Sequence, residues 1–588
     1  MKIFDANISL QVQTFLAEIL SKIDSLEIAN QTLKDNFGIL DFFEDKEELH
    51  LLKKHIFETN TLVEEAERAA YGDFQTNIDL ANKVTAYLAT QNIAPQIIIE
   101  PTCGKGNFLI AALQQFQQIE YLLGIEIYKP YIWETKFNII HFFLQNPHAN
   151  KPQISIQHAN IFEVNVENIA QKYIHKEVLI IGNPPWVTNS ALGTLNIDNL
   201  PRKTNFKQLN GLDAITGKGN FDIAEYITVT MLRHFQSIKG HLVFLLKNSV
   251  IKNIIFDQKQ YKYTLSAFQK YNIDSKREFN VSVEAALFYA KLNQKPAFTC
   301  QEYDFYKPQK PFQTYGWLGE KFVSNLETYL FTQEIDGKSP FVWRQGIKHD
   351  CANIMELEKV NEQYINALQE KVDLEEALVY GILKSSDLKN TVIHQTRKYT
   401  IITQRNVGQE TNYIAMQYPK TYQYLITHKA YFDARKSIIY QNKPPFSIFG
   451  IGDYSFKPFK VAISGLYKTF HFTLILPQNN KAVMLDDTCY FVGFDKIEFA
   501  VFALILLNSE KAKHLLQAIT FVDAKRVFTK DILMRIDLLT LAKNIDKPTL
   551  TIKLAQLNEK YSFQLTLTLW DNFLQEMAPT HQQQLQIF

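Results

Sequence analysis

The stretch Glu177-Val-Leu-Ile-Ile-Gly-Asn-Pro-Pro-Trp-Val187 decides how the chain is read. Val178 to Ile181 is a short, wholly apolar run, the pattern of a strand buried on both faces of a sheet. Pro184 and Pro185 have no N–H and a fixed φ, so the strand must stop there. At its end stand the carboxamide of Asn183, backbone carbonyls in a stiff turn, and the flat indole of Trp186. Such a set can accept hydrogen bonds from an amino group while stacking on a planar ring. The same residues would also serve as no more than a rigid strand stop, and the rest of the chain must separate the two readings.

Outward from this strand the pattern repeats. Residues 96–100, 121–126, 154–157 and 241–246 are further apolar strands, with helices expected at 107–116 and 131–144. Short buried strands separated by helices imply a parallel, doubly wound α/β sheet. Ligands of such sheets bind beyond the carboxyl ends of the strands. Residues 1–70 read as a helical segment, with a stripe at Leu10, Val12, Phe15, Leu16, Ile19 and Leu20. From about residue 296 onward Tyr and Phe become frequent, and short strands and turns dominate, with helices at 498–508 and 509–519. Three domains are therefore expected: 1–70 helical, 71–295 α/β, and 296–588 mixed α/β.

A chain of 588 residues with 46% hydrophobic content is globular and large enough for several cores. Four cysteines (Cys103, Cys300, Cys351, Cys489) at unpaired spacings form neither a disulfide framework nor a zinc knuckle, and no metal site is expected. The longest apolar run, residues 499–507, is too short to span a bilayer, and a soluble cytoplasmic protein is expected. The net charge of +1 conceals an asymmetry. Residues 1–70 hold 14 acids against 7 bases, with a dense acid patch from Asp41 to Glu48. That patch reads either as a solvated helix face or as a site for a partner chain. Residues 384–468 hold 13 Lys and Arg against 4 Asp and Glu. Such a segment can meet phosphates.

Upstream of the opening strand lies Glu100-Pro-Thr-Cys-Gly-Lys-Gly-Asn-Phe-Leu109, between a strand and a helix. Gly104 and Gly106 let the backbone pass close to a ligand, and the helix start offers unused N–H groups. The loop has neither the Gly-Lys-Ser/Thr ending of a P-loop nor three dinucleotide glycines. Glu126, at the tip of the next strand, can accept from both hydroxyls of a ribose. Asn160, in His158-Ala-Asn-Ile-Phe162 after the third strand, can accept from an adenine amino group.

Taken in order, Phe74-Gln-Thr76, the glycine loop, Glu126, Asn160 and Asn183-Pro-Pro-Trp186 resemble the amino-methylating DNA methyltransferases, specifically the gamma group of adenine-N6 enzymes. The resemblance covers residues 71–290. It implies a Rossmann-like class I methyltransferase domain, S-adenosylmethionine as cofactor, double-stranded DNA as substrate, and a target-recognition domain at the C-terminal end. It also implies roles. Glu100, Thr102, Gly104, Gly106 and Asn107 would cradle the methionine part of the cofactor, and Thr76 would help hold its carboxylate. Glu126 would take the ribose and Asn160 the adenine. Asn183, Pro184, Pro185 and Trp186 would form the catalytic motif. Phe279, in Glu278-Phe-Asn-Val-Ser-Val-Glu-Ala-Ala-Leu-Phe288, resembles the family aromatic that precedes a Val-rich strand and would stack on the other face of a flipped base. The family often has Thr-Pro where this chain has Thr76-Asn77, and Asp where it has Asn160.

The basic segment and a polar stretch at 201–219 supply the DNA contacts expected on this reading: Lys203, Lys384, Gln404, Arg405, Arg435, Lys436, Lys457 and Lys460. The Asn-Pro-Pro-aromatic motif is shared with protein-glutamine and RNA methylases, and a specificity subunit with an idle site is a further alternative. Asn rather than Ser or Asp at position 183 favours adenine over cytosine. No nuclease constellation is evident, so a restriction activity, if one exists, is expected on another chain.

Overall fold

Val178–Gly182 forms β5, an interior strand of an eleven-stranded sheet in the computed structural model, which describes residues 6–58, 75–187, 222–522 and 526–578. The strands are β1 (Ile39–Leu40), β2 (Ile97–Glu100), β3 (Tyr121–Glu126), β4 (Gln153–His158), β5, β6 (Gly240–Lys247), β7 (Leu265–Asn272), β8 (Ala285–Leu292), β9 (Thr299–Asp304), β10 (Gln313–Leu318) and β11 (Lys321–Val323). Their order is β1-β4-β3-β2-β5-β6-β8-β7-β9-β10-β11. From β1 to β6 across the sheet every pairing is parallel, while β8 runs antiparallel to both its neighbours. The chain winds outward from β2 in one direction and from β5 in the other. Their shared edge is the switch point where such sheets bind ligands. The doubly wound α/β expectation is borne out, with every residue of β2 and β5 buried.

The helices of this unit are α1 (Leu10–Leu20), α2 (Leu26–Phe37), α3 (Lys46–Glu58), α4 (Ile78–Thr90), α5 (Asn107–Gln115), α6 (Lys129–Gln145), α7 (Val166–Lys172), α8 (Ile223–Phe235), α9 (Asn248–Tyr261) and α10 (Ser275–Phe279). Local chemistry sets their starts. Asn77, where the resembling family has proline, caps α4 by accepting the Leu80 N–H at 2.7 Å.

The expected division into 1–70, 71–295 and 296–588 shifts. The described residues separate into two units between Phe322 and Val323. Residues 299–323 extend the first sheet by three strands because β9 pairs in parallel with β7, from Phe268↔Cys300 to Asn272↔Asp304. The N-terminal segment is also part of this unit. β1 pairs with β4, and Val12, Leu16 and Leu20 of the α1 stripe are buried. Part of the acid patch is used within the chain: Glu48 is 6% exposed, and Lys129 of α6 bridges Glu44 at 2.8 Å and Glu48 at 2.5 Å.

The second unit holds two sheets. A five-stranded sheet is centred on Phe459–Ser464 and Cys489–Phe494, and a six-stranded one on Glu356–Val360, Lys398–Ile401 and Val379–Leu383. The helices expected near 498–508 and 509–519 are present as Ile497–Leu507 and Glu510–Ile519. The first is apolar on all sides and buried from Phe499 to Leu507, the signature of a core helix. No helix among the described residues is long and apolar enough to cross a membrane.

Candidate active site

The glycine loop follows β2 and is fixed from three directions. The Cys103 N–H donates to the Ile125 carbonyl of β3 at 2.9 Å. Glu126, at the end of β3, accepts the Gly104 N–H at 2.9 Å and the Tyr128 N–H at 2.8 Å. On the helix side, the Thr135 hydroxyl of α6 donates to the Gly104 carbonyl at 2.8 Å, and the Asn138 amide donates to the Lys105 carbonyl at 3.0 Å. Gly106 has φ +79°, and a Cβ there would come 2.7 Å from Thr135 Cγ2, so only glycine fits. Asn107 opens α5 and donates to the Thr76 carbonyl at 2.7 Å, which ties the segment before α4 to the loop.

Inside this frame several buried polar atoms have no hydrogen-bond partner: Thr76 Oγ1, Thr102 Oγ1 and Glu100 Oε2. Leaving such atoms unmatched costs about 1–3 kcal/mol each, so a polar ligand that matched them would be favoured here. Burial, and then the nearby Glu126 carboxylate, push the Glu100 carboxyl well above its ordinary range. A cation arriving beside Glu100 would relieve both effects. Two carboxylates, unused hydroxyls and a helix start fit the ammonium, carboxylate and ribose of S-adenosylmethionine. Among the described residues no cluster of His, Cys, Asp or Glu could hold a metal ion.

One strand away, β5 ends at Gly182. An ideal Cβ on Gly182 would lie 3.3 Å from Glu100 Cγ, so the two strand ends touch. Asn183 follows, with its Oδ1 buried. Trp186 is 7% exposed and its indole N–H donates to the Leu245 carbonyl of β6 at 3.2 Å. The sequence therefore brings Thr76, Glu100, Thr102, Gly104, Gly106, Asn107, Glu126 and Asn183 to neighbouring strand ends of one sheet. Phe279 comes to the same edge, but as a neighbour of Trp186. The rings meet edge to face with centroids 5.1 Å apart and planes at 66°. A planar base does not fit between two rings in that arrangement, so the sandwich implied by the resemblance is not open in this structure. Asn160 uses its Oδ1 to accept the Phe162 N–H at 3.1 Å, which leaves the second lone pair of that oxygen for a ligand.

Sequence reading missed the α6 residues. Their signal is Glu134-Thr135-Lys136, three polar residues in succession among Ile132, Trp133, Phe137, Ile139 and Ile140, with the three polar side chains buried as well. It also missed Lys247, which pairs with Asp222 and donates to the Trp186 carbonyl at 3.4 Å.

The residues expected to contact DNA divide by burial. Lys436 is exposed. Arg405 is exposed and pairs with Asp453 at 3.2 Å. Lys384 pairs with Glu356 at 2.6 Å, and Lys457 pairs with Asp495. Two expectations are corrected. Gln404 is 1% exposed, accepts the Ile448 N–H at 2.8 Å and donates to the Gln409 carbonyl. Lys460 is 1% exposed near the start of its strand and donates to the Lys457 carbonyl at 2.8 Å, with burial pushing its amine down to about 7. Arg435 is half-buried; it donates to the carbonyls of Phe432 at 3.0 Å and Ser447 at 2.8 Å, and stacks on Tyr440 at 3.8 Å, as a strut does. Phe74, Lys203 and the 201–219 stretch lie outside the described residues.

No family model matches the chain. It is 40% identical over 483 residues to the Type II methyltransferase M.NspV of Nostoc sp., an alignment spanning 82% of this chain and 99% of that protein. It is 30% identical over 139 residues to ribosomal RNA small subunit methyltransferase A of Mycoplasma capricolum, covering 23% of this chain and 47% of that one. In fold it is similar to the Type IIL restriction-modification enzyme MmeI solved in complex with DNA, with a TM-score of 0.52, 12% identity, and coverage of 90% of this chain and 80% of that one. Identity at that level across nearly the whole of a relative fixes the family, and the cradle at the ends of β2 and β3 suits its cofactor: the chain belongs to the Type II methyltransferases, the S-adenosylmethionine-dependent DNA methyltransferases of restriction–modification.

Proposed function

We propose that the chain methylates the N6 amino group of adenine at a specific site in double-stranded DNA. The observation that carries this is the buried Oδ1 of Asn183, held by two prolines at the end of β5 and one strand from the glycine loop. S-adenosylmethionine supplies an electrophilic methyl group. Thr76, Glu100, Thr102, Gly104, Gly106 and Asn107 would hold its methionine part, Glu126 its ribose and Asn160 its adenine.

The remaining work falls to the protein. An adenine amine in a duplex is out of reach, so the base must rotate out of the stack. Asn183 Oδ1 and the Pro184 carbonyl would accept the two N6 hydrogens, which favours a pyramidal nitrogen with its lone pair exposed. Fixed acceptors and positioning supply the effect, and no side chain need have a pKa tuned for proton abstraction. The base would lie against the Trp186 indole, with Phe279 turned away from its edge-to-face contact to cover the opposite side. Pro185 keeps the turn stiff. In the second unit, Lys384, Arg405, Lys436 and Lys457 would meet phosphates. Beside Lys436 opens a cleft of about 360 Å³ lined by residues including Phe432, Tyr440, Gln441 and Lys443, which offers aromatic, amide and cationic contacts to DNA.

The test is to sequence DNA from a host expressing the chain, with detection of modified bases. N6-methyladenine at one recurrent sequence is expected. N4-methylcytosine instead, or unmodified DNA with methylated RNA or protein glutamine, would overturn the proposal.

A further inference from the structure

We propose that the N-terminal segment 39–48 positions the cofactor loop, acting through Lys129 and Lys136 as positioning residues of α6. The proposal rests on the reading of the glycine loop as the cofactor site. α6 is buried on both sides, and its two sides carry different cargo. At 100° per residue, positions 129, 133, 136 and 140 share one face, and 134, 135 and 138 share the opposite one. The second face grips the loop. Thr135 holds the Gly104 carbonyl at 2.8 Å, Asn138 holds the Lys105 carbonyl at 3.0 Å, and Glu134 pairs with the Lys105 amine at 3.0 Å.

The first face grips the N-terminal segment. Lys136, 1% exposed, donates to the Phe42 carbonyl at 2.7 Å, and its amine lies 5.4 Å from the Phe42 ring centroid and 5.1 Å from that of Trp133. Trp133 packs on Phe42 at 5.6 Å and Phe43 at 6.0 Å. One end of the same face is clamped by Lys129 between Glu44 and Glu48. A buried amine without a carboxylate in contact is a costly way to fasten a helix, since an apolar side chain would pack there more cheaply. What the amine adds is direction: a hydrogen bond fixes the rotation and the axial position of α6, and a loop held by Thr135 and Asn138 inherits both. The acid patch, unexplained by the reaction itself, thereby acquires a place in it.

Lys136→Met keeps the unbranched shape and most of the length of the side chain and removes the donor. By isothermal titration calorimetry, its dissociation constant for S-adenosylmethionine should rise about five- to tenfold, the effect of one internal hydrogen bond. The KM for S-adenosylmethionine should rise in parallel. At saturating cofactor kcat, and the affinity for DNA, should stay within about twofold, a split that general loosening of the fold would not produce. If Lys136→Met does not fold, Lys129→Met decides the matter at a more accessible position. It should weaken cofactor binding about two- to threefold, and Lys129→Arg, which can still bridge both glutamates, should restore it. Folded Lys136→Met and Lys129→Met proteins that bind S-adenosylmethionine as the wild type does would overturn the proposal, as would a loss confined to kcat. Glu126→Ala separates the two layers of inference. If it too binds the cofactor normally, the site reading itself has failed. If it loses binding while the lysine variants do not, the strut alone has failed.

Discussion

The residues singled out by sequence for cofactor and for DNA meet different fates in the two units. In the first, the groups picked out by sequence stand at neighbouring strand ends, and several are buried with unmatched atoms: Thr76, Thr102 and Glu100. In the second, the groups picked out by charge divide between surface and interior. Lys436 faces solvent, Arg435 braces a turn, and Lys460 and Gln404 are sealed inside. Unmatched polar atoms at adjoining strand ends can take up a polar ligand, whereas a lysine or glutamine that already serves a carbonyl is part of the frame. The first unit is therefore read from what it leaves unsatisfied, and the second from what remains exposed.

The largest effect should come from Glu126. Its carboxylate accepts the Gly104 and Tyr128 N–H groups and is proposed to take the ribose, so Glu126→Ala should weaken S-adenosylmethionine binding about 30- to 100-fold by calorimetry, the scale of hydrogen bonds to a charged group. Retention of wild-type affinity would mean that the unmatched atoms at these strand ends serve some other purpose. Next, Arg435→Ala should cost about 2–3 kcal/mol of stability, seen as a lower melting temperature, because several carbonyls lose their donor and Tyr440 its stacking partner. Lys436→Ala, one residue on, should leave the melting temperature unchanged, weaken DNA binding a few-fold near 0.1 M salt, and reduce the slope of log K against log salt by about one. Reversal of that pattern would erase the contrast between frame and surface.

How much of this was legible in the sequence follows from the same contrast. β2, β3, β5 and β6 could be read because strands buried on both faces are continuous apolar runs, whereas β4 buries only Ile154 and Ile156. Glu100, Gly104, Gly106, Glu126 and Asn183 could be placed because each adjoins such a run, and a parallel sheet brings all carboxyl ends to one edge. Thr135 and Lys136 escaped notice because a helix residue is placed by its rotation about the axis, and α6, buried on both sides, has no polar stripe to fix that rotation. The boundary near 295 failed because Gln294-Lys-Pro296 looks like a linker, yet β9 after it pairs with β7. Lys460 failed because composition counts a lysine without saying which face of a strand it occupies.

A smaller effect should separate Lys460 from the surface lysines. Burial holds its amine near 7 in the folded chain, below the unfolded value of about 10.4. Between those limits the unfolded state binds more protons, so this group makes stability rise with pH from about 7 towards 10. The melting temperature of the wild type should therefore climb relative to Lys460→Met over that window. Parallel curves would show that Lys460 is solvated after all and available to DNA.

Asn183→Ala tests the central claim most directly. With tritiated S-adenosylmethionine and duplex DNA carrying the recognised site, methyl transfer should fall by a factor of about 10² to 10³ or more, while the dissociation constants for cofactor and for DNA stay within about threefold. An Asn183→Ala enzyme that labels DNA at near the wild-type rate would contradict the account.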